Sequence, residues 1–307
     1  MGRRAMLLAV LAALVMVMAA TAPSRTAGAL STTITSTKLG FVIKCRYVFS
    51  GAVDPIAAPG RRPSAHRHDF FGNTTINEFS TVTSMRAAYP DNSRCSDPKD
   101  TAGYWIPSLY VDGRHLLPVS DTSPFTIYYT GEHLRNTPPT AIHAPPVNLR
   151  LVVGNPDATS GPFKHTQLYW GCGGRRRFDG TTDRIPNCAS LPKPHHLELH
   201  IQFPECLAVH ANGTPITDSP DHKQHAAYAF NWVCPAHHPY AIAQVIERVR
   251  WDSQPDPARQ HVTLSSGGWW TMHGDFWQTW HQAELAARVK ACFVHQVHCS
   301  VQHGTLT

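Results

Sequence analysis

Several signatures of common enzyme classes are missing from this sequence of 307 residues. No Cys-x-x-Cys pair occurs, which argues against a zinc ribbon or a thioredoxin-like redox site. There is no Gly-x-Ser-x-Gly elbow, no Gly-x-Gly-x-x-Gly loop and no Walker-type loop, so serine hydrolase and nucleotide chemistry are disfavoured. No repeat of fixed period is present, and 25 prolines argue against a helical solenoid.

Long apolar runs are also scarce. One apolar run covers residues 5–20, and no later segment has 18 consecutive apolar residues, which a membrane-spanning helix would need. Two arginines precede that run, and the small residues Ala27-Gly28-Ala29 follow it. This order predicts a secretory signal peptide over residues 1–29 and a mature start at Leu30, with an uncleaved membrane anchor as the alternative. We therefore expect a secreted, extracellular protein with no membrane contact beyond the signal peptide.

Charge is low: 16% of the residues are charged, and the net charge is +6. Removing the three arginines that precede Leu30 leaves +3. A mildly basic chain of this kind is not expected to bind nucleic acid, although an anionic polymer is allowed as a ligand. The 20 histidines make the surface charge depend on pH between about 5 and 8.

Eight cysteines suit an exported chain and predict a disulfide framework. Eight cysteines allow 105 pairings, and loop economy favours the pairing of neighbours. Each bridge restricts the unfolded chain by about 2–4 kcal/mol in the entropic model. The predicted pairs are Cys45 with Cys95, Cys172 with Cys188, Cys206 with Cys234, and Cys292 with Cys299.

Short β-prone runs separated by Pro and Gly turns predict a mainly β fold, a sandwich or jelly-roll-like domain with long loops. One C-terminal helix is predicted over residues 278–293, with Asp275 as its N-cap and Gln278 at the capping-box position. The expected organisation is a disordered leader over 30–38, a single domain over 39–299 and a tail over 300–307, in a monomer. The β-prone runs are 39–49, 104–111, 124–130, 147–153, 195–203 and 240–251.

Three polar clusters are candidates for a functional site. In the first, His66 and His68 would share one face of a strand, which suits a metal or a base with an orienting partner. The second runs from Ser219 to His225 and contains two histidines at i,i+3 spacing; an exposed polar turn is the alternative. The third contains His273 and Asp275 within a group of tryptophans, which are either core or a sugar-stacking platform.

The motifs His66-x-His68-Asp69-Phe70-Phe71-Gly72, Phe203-Pro204-x-Cys206, Ser219-Pro220-Asp221-His222-x-x-His225, Cys234-Pro235-x-His237-His238-Pro239 and His273-Gly274-Asp275-Phe276 occur in this order. The array resembles the secreted domain-of-unknown-function family nineteen-ninety-six over about residues 40–293. Members of that family are exported proteins of bacteria and fungi, and some carry carbohydrate-binding modules. The resemblance implies a glycan-related setting by association.

Three hypotheses for the function remain open. The first is a carbohydrate-active enzyme that acts on extracellular or cell-wall polysaccharide, either as a glycoside hydrolase with two carboxyl groups or as a lyase on a uronic-acid polymer. The second is a protein that binds Zn²⁺ or Cu²⁺. The first hypothesis does not require a metal. The third is a non-catalytic glycan-binding protein.

The residues that these hypotheses use come from the three clusters. The predicted catalytic residues are His66, His68, Asp69, Asp221, His222, Lys223, His225, His273 and Asp275. The candidate metal ligands are His66, His68, His222, His225 and His273, and the predicted substrate-binding residues are Trp269, Trp270, Trp277 and Trp280. A single cleft that gathers all three clusters is the assumption behind each role.

Overall fold

The computed structural model describes residues 40–118, 125–161, 167–173, 184–191 and 196–295. The predicted signal peptide, leader and C-terminal tail, together with Cys299, lie outside the described residues. Among the described residues, every helix is too short or too polar to cross a membrane.

The described residues form a mainly β structure, as the turn-rich sequence predicts. The strands are β1 Gly40–Cys45, β2 Tyr47–Gly51, β3 His68–Gly72, β4 Gly103–Pro107, β5 Leu109–Val111, β6 Arg114–Leu116, β7 Phe125–Thr130, β8 Arg150–Gly154, β9 Leu168–Gly173, β10 His196–Gln202, β11 Cys206–Leu207, β12 Ala226–Ala227, β13 Tyr240–Ala241, β14 Gln244–Trp251, β15 Val262–Leu264 and β16 His273–Trp277. Helix α1 covers Val82–Arg86 and α2 covers Gln282–Val289, which a π-helical turn extends over Lys290–Val294.

Two five-stranded antiparallel sheets make a sandwich. The first has the order β1-β7-β14-β10-β9, and the second has the order β2-β3-β4-β16-β8. Aromatic side chains fill the space between them: Phe71 of the second sheet stacks on Phe125 of the first at 4.1 Å between ring centroids, and Phe276 lies 5.8 Å from Phe203. Two three-stranded sheets, β12-β11-β13 and β15-β5-β6, complete the described fold.

The second sheet has a further apolar layer on its other face. Because side chains alternate along a strand, Phe71 of β3 points into the sandwich while Phe70 points outward. Phe70 packs there with Trp105, Trp277 and buried residues of the surrounding loops, including Val53. The second sheet is therefore covered on both sides, and a polar group on its outer face is removed from solvent.

The disulfides follow the neighbour pairing for three of the four predicted pairs. Cys45 bonds Cys95, Cys172 bonds Cys188, and Cys206 bonds Cys234. Cys292 is also disulfide-bonded, but its predicted partner lies outside the described residues. Gly72 is needed beside the first bridge, since its φ is +77° and a Cβ there would lie 2.7 Å from the Sγ of Cys95.

The predicted C-terminal helix exists but begins later than expected. Asp275 is not an N-cap: it lies in β16, which pairs with β4 on one side and β8 on the other. The helix α2 begins at Gln282, with His281 at the cap position. The prediction of an N-cap at Asp275 was wrong, because residues 273–277 form a strand that pairs on both sides. All five residues are buried, and buried backbone groups need hydrogen-bond partners, which this pairing supplies.

Candidate metal centre

Two of the three predicted clusters meet on the outer face of the second sheet. His68 of β3 pairs with Pro107 of β4, and the register of β16 places His273 level with Pro107 from the other side. The two strands are separated by one strand, which puts their Cα atoms roughly 10 Å apart. Both imidazoles reach across the short proline side chain, so that their Nε2 atoms lie 3.2 Å apart.

A third imidazole joins them from the loop before β3. The Nε2 of His66 lies 3.0 Å from the Nε2 of His273. One nitrogen from each of the three rings lies within 4.8 Å of the other two. His68 and His273 are buried and His66 is partly exposed, so the cluster opens toward solvent on the His66 side.

Backbone carbonyls fix the orientation of the two buried rings. His68 donates its Nδ1–H to the carbonyl of Val53 at 2.8 Å, and His273 donates its Nδ1–H to the carbonyl of Thr271 at 2.9 Å. In a neutral imidazole the nitrogen without the proton carries the lone pair. The Nε2 lone pairs of His68 and His273 therefore both point into the cluster, an arrangement that metal-binding histidines use to fix their tautomer.

Burial keeps these imidazoles neutral. It lowers the pKa of His273 to about 3, with help from the neighbouring His66. Burial also lowers the pKa of His68 well below its ordinary value, and the nearby His273 and His66 add to this effect. The pKa of His66 is lowered by burial as well, although Asp157 opposes the shift. Protonation of a second nitrogen on these rings is consequently unfavourable. The Nε2 lone pairs of His68 and His273 therefore face each other.

The distances from the Nε2 of His273 to the other two Nε2 atoms are close to those between the ligands of one metal ion. Zinc–nitrogen bonds of about 2.0–2.1 Å at tetrahedral angles put ligand nitrogens roughly 3.3–3.4 Å apart. The distances of 3.0 and 3.2 Å in the cluster are slightly shorter than that value. His66 can satisfy one lone pair through its own Nε2–H, but that single hydrogen bond leaves the contact between His68 and His273 without a cation or a donor.

Asp275 provides a carboxyl group beside the three rings. Its Oδ2 lies 3.9 Å from the Nε2 of His273, and it is buried without a hydrogen-bond partner among the described residues. Burial raises the pKa of Asp275 well above its ordinary value, and the charge of Asp54 raises it further. Gly274 allows this placement, because a Cβ there would lie 2.4 Å from the Cδ1 of Ile201 in the opposite sheet.

The second cluster contributes one cation to the same region. Lys223 donates its Nζ–H to the carbonyl of Gly154 at 2.6 Å, and Gly154 is the β8 partner of His273. The positive charge of Lys223 lowers the pKa of both Asp275 and His273. An anionic ligand group would therefore meet a favourable field on this side of the three imidazoles.

A family model described as Domain of unknown function (DUF1996) matches residues 54–280, which is most of the chain and includes the three histidines. The chain belongs to the DUF1996 family. No curated protein and no solved structure matches it.

The other carboxylates of the DUF1996 motifs are placed elsewhere. Asp69 points to the opposite face of β3 from His68, where it accepts hydrogen bonds from Ser50 at 2.6 Å and Ser108 at 2.7 Å and pairs with His115. Asp221 is exposed and accepts backbone N–H groups of its own turn, which lowers its pKa. Neither carboxylate is brought to the three imidazoles.

The remaining histidines of the second cluster are engaged within that turn of the DUF1996 domain. His222, at a φ of +55°, hydrogen-bonds Asp218 at 2.6 Å, and His225 hydrogen-bonds Ser219 at 2.9 Å. Their predicted roles as metal ligands or catalytic groups stay predictions. The turn places its lysine, rather than its imidazoles, beside the third cluster.

The tryptophans of the third cluster divide into two pairs. Trp277 and Trp280 are fully buried and belong to the core of this DUF1996 domain. Trp269 and Trp270 are half-buried, with their rings at 82° to each other and 5.4 Å apart. Only the second pair has ring surface available to a substrate.

Several residues of the site were not expected from the sequence. Val53 and Thr271 act through their carbonyls, which no side-chain pattern reveals. Asp54 follows Val53, and burial raises its pKa. Outside the site, between the two sheets, Glu247 of β14 is buried with no partner for either carboxyl oxygen among the described residues, and burial together with Asp275 raises its pKa well above the ordinary value. An acidic residue at an inward position of an otherwise apolar strand was the available signal for Glu247.

Proposed function

We propose that this DUF1996 protein binds one divalent transition-metal ion, Zn²⁺, through the Nε2 atoms of His66, His68 and His273. The observation that carries the proposal is the facing pair of Nε2 lone pairs on His68 and His273, 3.2 Å apart and fixed by carbonyl contacts on the far side of each ring. Three neutral imidazoles with an open fourth position are a ligand set of catalytic zinc sites.

Zinc is favoured over other divalent ions by the type and number of the ligands. Imidazole nitrogens suit Zn, Cu, Fe and Ni, whereas Mg²⁺ and Ca²⁺ prefer oxygen ligands. The distances of 3.0 and 3.2 Å lie between those of a tetrahedral site and those of the square-planar site that Cu²⁺ prefers, so the choice of Zn²⁺ rests on the set of three imidazoles with an open position. Asp275, 3.9 Å from His273, would then accept a hydrogen bond from whatever occupies the open position.

Calorimetric titration of the chelator-treated protein with Zn²⁺ tests this proposal. We expect one ion per chain in the unaltered protein and a loss of affinity of about 100-fold or more in His66→Ala and in His273→Ala, because changes in the second shell alone cost 10–100-fold. His210→Ala is the matched control, since His210 is exposed and lies in a separate turn. Absence of stoichiometric binding, or equal binding by His66→Ala, would contradict the proposal. Circular dichroism of each variant excludes unfolding as the cause.

A second candidate function is lyase activity on a polysaccharide that carries uronic acids, and the position of Lys223 favours it. Lys223 and the bound ion would neutralise the substrate carboxylate, while the proton at C5 would pass through a water in the open position to the ionised Asp275, which is itself buried. The C5–H bond and the C4–O bond break, a C4=C5 double bond forms, and the leaving oxygen takes up a proton. The hydrolase alternative needs two carboxyl groups about 5–10 Å apart, and Asp69 and Asp221 are both engaged outside the site.

The two chemistries give different products from the same substrates. A lyase produces an unsaturated uronate that absorbs in the ultraviolet, whereas a hydrolase produces new reducing ends without that absorbance. We expect zinc-dependent absorbance with pectate, alginate or glucuronan in the unaltered protein, at least 100-fold less in Asp275→Asn, and a raised KM in Lys223→Met. Reducing ends without the absorbance would favour the hydrolase, and no product from either test would leave a metal-binding protein without this activity.

A further inference from the structure

A second feature of the surface is not part of the candidate metal centre: a tight turn that carries an unusual amount of exposed apolar surface. Phe230 is 72% exposed, Trp232 is 42% exposed and Val233 is 39% exposed. Taken together, the three side chains expose roughly 300 Å². Contiguous apolar patches near this size on a monomer are often functional.

The turn is a two-residue β-hairpin of an uncommon kind. Phe230 and Val233 exchange backbone hydrogen bonds of 2.9 and 3.2 Å, so their side chains lie on the same face of the hairpin. Asn231 has a φ of +51° and Trp232 has a φ of +67°. A type I′ turn requires this backbone, and its second position is normally glycine. A tryptophan at this positive φ raises the conformational energy of the backbone, which indicates that its side chain is needed.

The surrounding structure holds the turn rigidly. The backbone N–H of Asn136 donates to the carbonyl of Trp232 at 3.2 Å, and its side-chain amide donates to the carbonyl of Asn231 at 3.0 Å. The bond from Cys234 to Cys206 anchors the residue that follows the turn. Because the backbone that carries the exposed rings is held by these bonds, little backbone entropy is lost when the turn binds a partner.

Polar groups lie directly beside the aromatic rings. The guanidinium of Arg135 lies 4.3 Å from the centroid of the Trp232 ring, and His133 lies 6.3 Å from it. Arg135 also pairs with Glu132 at 3.3 Å, so this charge is compensated. The exposed face therefore combines aromatic rings with neutralised hydrogen-bonding groups.

The size and charge of this patch narrow the kind of partner. A stable protein interface buries about 800 Å² on each partner, far more than the turn offers. Attachment to an anionic membrane uses clustered lysines and arginines, whereas the arginine beside the turn is paired with Glu132. Sugar rings remain, because their apolar faces pack on aromatic rings while their hydroxyl groups bond to polar neighbours.

We propose that the Phe230–Val233 turn is a binding site for the pyranose rings of a neutral polysaccharide, separate from the histidine centre and independent of its function. The test is a pull-down and affinity electrophoresis of the full chain with microcrystalline cellulose, chitin, β-1,3-glucan and xylan. We expect binding to at least one polysaccharide, and an affinity that falls at least ten-fold in Trp232→Gly and in Phe230→Ala. Phe79→Ala is the matched control, since Phe79 is 71% exposed and lies in another loop.

Trp232→Gly separates binding from folding. Glycine suits the φ of +67° better than tryptophan, so the thermal midpoint of this variant should stay the same or rise while binding is lost. The proposal is overturned if none of the four polysaccharides is bound, or if both variants bind as well as the unaltered protein. It is equally overturned if lipid vesicles, or a second copy of the chain in sedimentation, are the partners lost in Trp232→Gly.

Discussion

Glu205 should make the stability of this protein depend on pH. The residue is fully buried between Phe203 and the Cys206–Cys234 disulfide. Its Oε1 accepts the backbone N–H of Ala229 at 3.0 Å, and its Oε2 accepts the side-chain amide of Gln244 at 3.0 Å. Burial raises the pKa of Glu205 to about 7, against the opposing effect of these hydrogen bonds. The carboxyl group thus fixes the chain next to Phe230, where the exposed turn begins.

The sign of the effect follows from the raised pKa. Glu205 holds its proton more tightly in the folded protein than in the unfolded chain, where its pKa is 4.5. Its contribution to stability is therefore complete below about pH 4.5 and is lost as the pH rises through about 7. The difference between the two pKa values, at 1.36 kcal/mol per unit, corresponds to about 3 kcal/mol.

Urea unfolding of the unaltered protein and of Glu205→Gln, between pH 4 and pH 8, measures this contribution. The free energy of unfolding of the unaltered protein, minus that of the variant, should fall by about 3 kcal/mol across the window. A constant offset from altered hydrogen bonding does not affect the slope. Glu284→Gln is the control: Glu284 is exposed and Lys99 lowers its pKa, so the same difference should be flat above pH 5. A flat difference for Glu205→Gln, or one that grows with pH, would refute the reasoning.

Two further predictions concern the second sheet. Zn²⁺ at a thousand-fold excess over its Kd should raise the free energy of unfolding by about 4 kcal/mol. For a chain of this size that is roughly 8 °C in Tm, which calorimetric scans measure. His68→Ala should lose the shift in Tm, and His210→Ala should keep it. Asp69→Asn should lower the free energy of unfolding in urea by about 2–3 kcal/mol, because a buried carboxylate with three donors is replaced. The zinc affinity of this variant should be unchanged. A loss of zinc binding without a loss of stability would instead place Asp69 in the metal site.

Much of the fold could be predicted because its signals are local. Alternation and turn residues located β1, β2, β4, β5, β7, β8, β10, β13 and β14 to within a few residues, and neighbour pairing gave three disulfides. None of the β-prone runs covered β3, β6, β9, β11 or β12. The start of the C-terminal helix could not be predicted by the same means. Asp275 and Gln278 have the spacing of a capping box, but their surroundings are decided by β4 and β8, which lie more than 100 residues earlier in the chain. Alternation of His273, Asp275 and Trp277 with Gly274 and Phe276 was the competing signal, and it was the correct one.

The residue types of the site could be predicted from the sequence, but the role of each residue could not. His68 and Asp69 are adjacent in the sequence, but the alternation of β3 sends His68 toward His273 and sends Asp69 to a different set of partners.

Whether His68 meets His273 depends on register, since the imidazoles meet only because Pro107 of the intervening strand lies level with both and leaves space above it. A shift of β4 by one residue would place Ile106 or Ser108 between them and turn the neighbouring side chains to the other face. A motif of histidines and aspartates therefore indicates which residues are available, while the pairing of β3, β4 and β16 decides that three imidazoles and one carboxyl group, rather than two carboxylates, form the candidate centre.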